Sequence, residues 1–149
     1  MSCVGGVVTS VQNNVATLAK DLEAAGGKGI PLIGITYPDV FLGEWVYKPP
    51  NQTLATESVT AFQSLVNPAL LAAYTAAGGG FVDVTAATGA YTPLSKTTTL
   101  KPYGKIPVAV ADVCTLTWFC SVTGDIHPKT PGYAVIAKLI ETEYKTLHP

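Results

Sequence analysis

Asp125 and His127 stand two residues apart in the segment "GDIHPKTPGYAVIAKLI", Gly124 to Ile140, just ahead of a stretch with helical apolar spacing. In a Ser-His-Asp arrangement the acid fixes one ring nitrogen of the imidazole and stabilises the imidazolium, while the other nitrogen takes the nucleophile's proton. An acid two residues before a histidine, on a loop leading into a helix, can supply both parts from one turn, and Pro128 stiffens that loop. The chemistry expected is activation of a hydroxyl, with His127 as general base and Asp125 as its orienting acid. The plainer reading of a D-x-H tripeptide is a surface acid beside a capping histidine.

The group to be activated is harder to find. Ser2, Ser10, Ser58, Ser64, Ser95 and Ser121 all lie outside any G-x-S-x-G context. Ser121 is close to His127 in sequence, and Cys3 precedes "VGG", whose backbone N–H groups could face a developing anion. Neither has a motif around it, so the nucleophile is left unassigned. Asn13 and Asn14 fall mid-helix and are expected to face solvent. His127 and His148 lack the short-spaced cluster of ligands a zinc site uses, so neither metal nor cofactor is expected.

The elements that would position the pair read as α/β. Val8, Val11, Val15, Leu18 and Leu22 follow the rhythm of a helix with one buried face, ended by Gly26 and Gly27. "IPLIGITYP" then reads as a fully buried strand of a parallel sheet. Thr56 to Ala77 is helical in composition, with Asn67 and Pro68 placed as N-cap and first-turn proline that split it in two. After Gly78 to Gly80, "FVDVT" reads as a second strand. A polar passage from Thr88 to Pro107 precedes the segment Val108 to Cys120, which reads as a short helix. Pro131 opens a last helix with Tyr133, Ile136, Ile140, Tyr144 and Leu147 on one face. Helices alternating with parallel strands form an open sheet covered on both faces. Two strands are few for such a sheet, so residues 1–149 are expected to form one domain that is part of a larger one. The exposed edge is a place for a second copy to pair.

Composition narrows the partners. Of 149 residues, 48% are hydrophobic and only 13% charged, against about a quarter in ordinary soluble domains, which implies a covered surface. All nine basic residues are lysine, and they form no stripe, so nucleic acid is not an expected partner. No apolar run reaches the roughly 18 residues of a membrane span, and the N-terminus lacks the layout of a signal peptide. Cys114 and Cys120 lie six apart in "CTLTWFC", a spacing that suits a short disulfide, with three buried thiols including Cys3 as the alternative.

The block "DIHPKTPGYAVIA" resembles the C-terminal catalytic block of the SGNH hydrolases, the GDSL esterase and lipase family. "GITYPDVFLGEW", "FVDVTAA" and "VAVADVCTLTWFC" are similar to segments of that family's secreted actinobacterial branch, in the usual order. The resemblance runs from about Cys3 onward. It implies an open parallel-sheet, flavodoxin-like αβα fold and a carboxylic ester hydrolase of extracellular origin, needing no cofactor and acting on a small-molecule or lipid ester. It assigns His127 as base and Asp125 as acid, although the family's commoner D-x-x-H spacing would put the acid at Gly124. It pairs Cys114 with Cys120 and makes Cys3 half of a further disulfide. The family's GDS nucleophile block and its glycine and asparagine oxyanion blocks have no counterpart here, so the chain reads as a C-terminal portion. Tyr37, Phe41, Trp45 and Tyr47 follow the first strand, where open sheets bind ligands, and are candidates to line an acyl pocket. A non-catalytic or shortened module that binds or assembles is the alternative reading.

Overall fold

The computed structural model describes residues 2–27, 30–121 and 124–148, with side chains from Gly5 onward in the opening helix. The expectation for Cys3 therefore lies outside the described side chains. The fold is mixed α/β. Helix α1 (Ser2–Gly26) leads into strand β1 (Ile33–Ile35), a 3₁₀ segment (Val40–Trp45), α2 (Gln52–Ala61) and α3 (Asn67–Ala76). Strand β2 (Gly80–Val82) and the short α4 (Val84–Ala87) precede strands β3 (Thr97–Leu100) and β4 (Gly104–Pro107), then α5 (Val108–Leu116) and α6 (Thr130–Leu147).

The parallel sheet has two strands. β1 and β2 pair in parallel with Ile33 opposite Gly80 and Ile35 opposite Val82. A Cβ on Gly34 would overlap the Tyr74 ring, so glycine is what lets α3 press directly onto β1. The expectation of a fully buried strand is corrected. Ile30 is 63% and Ile35 39% exposed, because neither side chain is covered where the sheet ends beside β1. "FVDVT" is a strand only through Val82; Asp83 turns the chain into α4 by accepting the Ala86 N–H at 2.9 Å.

The Thr88–Pro107 passage holds a hairpin that its polar composition hides, since β3 exposes a run of threonines. Asn67 is no N-cap. A π-turn over Phe62–Val66 joins α2 to α3 without a break, and Asn67 has helical backbone angles and a buried side chain. α6 also differs from its sequence reading. Tyr133 and Tyr144 face solvent, and Gly132 is its buried residue, because a Cβ there would overlap the Leu116 carbonyl oxygen.

The main apolar core lies around α5 rather than on the parallel sheet. Ala109, Val110, Ala111, Val113 and Cys114 pack with Leu42, Ala90 and Ile106, and Trp45, Tyr103 and Leu100 close its margin. Fully burying a side chain such as Leu42 or Val110 contributes about 1.5–3 kcal/mol. This core anchors the end of α5, from which the loop bearing His127 is hung. Among the described residues, no helix is long and apolar enough to cross a membrane.

Candidate functional site

His127 Nδ1 lies 2.5 Å from Asp125 Oδ1, and the same carboxylate oxygen accepts the His127 backbone N–H at 2.8 Å. One oxygen thus sets both the turn and the ring, which is why a spacing of two residues suffices. The backbone N–H of His127, and after it the imidazole, hold the Asp125 carboxyl below the usual carboxylate range. With Nδ1 engaged by the acid, Nε2 is the nitrogen left to exchange a proton. The imidazole is 64% exposed.

The loop is clamped at both ends. Trp118 N–H donates to the His127 carbonyl at 2.9 Å, and Lys129 N–H donates to the Leu116 carbonyl at 2.7 Å. Thr117 forms an isolated antiparallel bridge with Pro128. Lys129 Nζ donates to the Cys114 carbonyl at 2.6 Å and stands 5.2 Å from the centre of the Trp118 ring. The Cys114–Cys120 disulfide closes the chain that follows α5, with the two Cα atoms 5.1 Å apart. A disulfide is compatible with an extracellular setting. Just before the acid, Gly124 has φ +61° and its backbone lies against the Tyr47 ring. A side chain there would meet both a left-handed backbone and the phenol.

The four aromatics named from sequence do not share one recess. Phe41 stacks on Phe62 with centroids 6.4 Å apart, and the two line a cavity of about 260 Å³ with Leu54, Ser58, Ala61 and Val66. Trp45 and Tyr47 line a different recess of about 360 Å³ with Lys48, Tyr103 and Ile106. Tyr47 and Tyr103 also border a space of about 410 Å³ beside Cys120 and Ser121. Tyr37 is half-exposed beyond β1. Tyr47 is thus the member of the set that the fold brings against the Gly124–Asp125 turn.

Two polar groupings escaped the sequence reading. Asp39 is fully buried, and its Oδ2 accepts the Ser58 hydroxyl at 2.8 Å while Oδ1 has no hydrogen-bond partner among the described residues. Burial pushes the Asp39 carboxyl up to about 6, against the opposing pull of Ser58. Ser58 also donates to the Ala55 carbonyl at 2.9 Å, as a helix-interior serine does.

At the C-terminal ends of β1 and β2, Thr36 donates to Asp83 Oδ1 at 3.1 Å, and Asn67 Nδ2 reaches Asp83, Thr85 and the Tyr91 hydroxyl. Burial, and secondly the Asp83 charge, push the Tyr91 phenol up to about 12. The sequence signal for both groupings is an acid placed directly after an apolar run, in "TYPD" and "FVD". Asn13 and Asn14 are exposed on α1. No protein-family model, no curated protein and no solved structure matches the chain.

Proposed function

We propose that this chain supplies the base and acid of a carboxylic ester hydrolase of the SGNH type. The observation that carries the reading is the contact between Asp125 Oδ1 and His127 Nδ1, made by a carboxylate that also anchors the His127 backbone. In the proposed cycle His127 Nε2 accepts the proton of a serine hydroxyl as its oxygen bonds to the ester carbonyl carbon. The imidazolium, stabilised by ionised Asp125, then returns that proton to the departing alcohol oxygen. Water repeats the sequence on the acyl-enzyme: His127 takes its proton, and the carboxylic acid leaves as the serine is reprotonated. The serine and the oxyanion donors are not assigned to residues of this chain. The reading carries with it an open parallel αβα sheet in which β1 and β2 form one pair, an extracellular setting, and a small-molecule or lipid ester as substrate. Tyr47 is the aromatic best placed to border that substrate, since it abuts the turn before Asp125.

Hydrolysis of p-nitrophenyl butyrate, with fluorophosphonate labelling and peptide mapping to find the serine, tests the reading. The chain is assayed alone and with an N-terminal piece from a related hydrolase. His127→Ala should lower turnover on the order of 10³-fold or more, since both half-reactions pass through one imidazole. Turnover that survives this substitution unchanged would make the histidine structural. The 64% exposure of the imidazole favours a second reading, a module of the same fold that binds or assembles without catalysis. No labelled serine and no turnover under either condition would favour it.

A further inference from the structure

We infer that the free edge of β1, with the apolar flank of α1 beside it, seats an uncharged, apolar β-strand supplied by another polypeptide. In the parallel ladder, Gly80 N–H donates to the Leu32 carbonyl and Thr36 N–H to the Val82 carbonyl. The backbone groups of Leu32, Gly34 and Thr36 therefore face β2, and those of Ile33 and Ile35 face the other way. The outward groups of Ile33 and Ile35 have no hydrogen-bond partner among the described residues. On the opposite edge, Phe81 N–H donates to Glu143 Oε1 of α6 at 3.3 Å. Open edges are normally defended by charge or a bulge. From Ile30 to Pro38 there is no charged residue.

Helix α1 points to the same place. It lies along α3 and scarcely touches the sheet, and its least exposed line is Val8, Val15, Ala19 and Glu23. Val7, Val11, Leu18 and Leu22 are 37–59% exposed and fall within about 60° of one another at 100° per residue, roughly a quarter turn from that line. A helix in a layered α/β fold meets its neighbouring helix sideways and the sheet beneath it, a quarter turn away. One side of α1, a quarter turn from α3, is thus apolar and uncovered. Helices pack about 8–10 Å apart and strands about 4.8 Å, so α1 beside α3 spans the width of roughly two strands. At the end of α1, Gly26 lies beside Ile30, three residues before β1.

These features select the occupant. Unpaired N–H and C=O groups require an extended backbone rather than a helix, and the uncharged, aliphatic surroundings require an apolar one.

The test uses the full chain and a synthetic peptide, IPLIGITYP with two appended lysines, which repeats residues 30–38. NMR-detected amide exchange at Ile33 and Ile35 should slow at least tenfold at saturating peptide. Leu18→Glu, which charges the exposed α1 flank, should weaken binding at least tenfold. Ile35→Lys should do the same by charging the edge, with circular dichroism confirming that each variant folds. A peptide with aspartate at its two central isoleucines should give no protection. Unchanged exchange at saturation, or undiminished binding to both variants, overturns the inference. So does a sedimentation dimer in which Ile33 and Ile35 are already protected without peptide, because the edge would then be filled by a second copy.

Discussion

Lys129 Nζ donates to the carbonyl oxygen of Cys114 at 2.6 Å, tying the residue two places after His127 to the first cysteine of the disulfide. The histidine loop and the disulfide loop are therefore one mechanical unit.

Removing the covalent part of that unit should be measurable in stability. Closing so small a loop restricts the unfolded chain by roughly 2 kcal/mol. The double change Cys114→Ala, Cys120→Ala should lower urea-unfolding stability by about that amount. Alkylation under non-reducing conditions, read by intact mass, should leave both thiols unlabelled; two labelled thiols would contradict the pairing.

The pair Asp125 and His127 can be separated by substitution. Asparagine at 125 presents an amide donor to Nδ1 and so favours the wrong tautomer, a change that costs up to about 10⁴-fold where such an acid serves a triad. If the chain hydrolyses p-nitrophenyl butyrate through His127, Asp125→Asn should lower kcat toward that scale with KM little changed. A loss under tenfold, beside a large loss in His127→Ala, would show that Asp125 is not the orienting acid.

Gly132 and Gly124 hold this loop by being small, for different reasons. At Gly132 a Cβ would strike the Leu116 carbonyl oxygen, and backbone cannot yield as a side chain can. Gly132→Ala should destabilise the fold by about 1–3 kcal/mol. At Gly124 the cost has two sources, the φ of +61° and the nearness of Tyr47. Gly124→Ala should cost about 1–2 kcal/mol, and adding Tyr47→Leu should recover only the steric share. Full recovery would mean that the backbone angle contributes nothing.

Asp39 should make the protein more stable in mild acid. Its folded-state pKa is raised to about 6 from 3.8, so the native state binds the proton more tightly than the unfolded chain does. The resulting stabilisation is fully present below about 3.8 and is lost as pH rises through about 6. Between pH 5 and pH 8 the wild type should lose roughly 1–2 kcal/mol relative to Asp39→Asn, which cannot titrate there. Urea unfolding of both proteins at the two pH values checks this. An equal gap at both would show that Asp39 does not titrate in the folded state over that range.

The sequence alone determined what depends on near neighbours. Apolar spacing with Gly26 and Gly27 marked α1 and its end, although Val11, Leu18 and Leu22 of its expected buried face are exposed; Pro131 marked the start of α6, and two residues of separation let Asp125 reach His127 within one turn. Those are short-range geometries, fixed by backbone periodicity and side-chain reach.

Contacts between distant segments were decided by the tertiary structure. Spacing placed Tyr133 and Tyr144 on the packed face of α6, but the close approach of Gly132 to Leu116 turns that face elsewhere. Asn67 looks like a cap in sequence, yet in the fold its amide is drawn inward by Asp83, Thr85 and Tyr91, up to 24 residues away. Phe41 and Tyr47 are six residues apart in the chain but line separate cavities, because the 3₁₀ segment between them packs Leu42 into the α5 core. Periodicity tells which residues seek burial; only the packed fold supplies the partner that buries them.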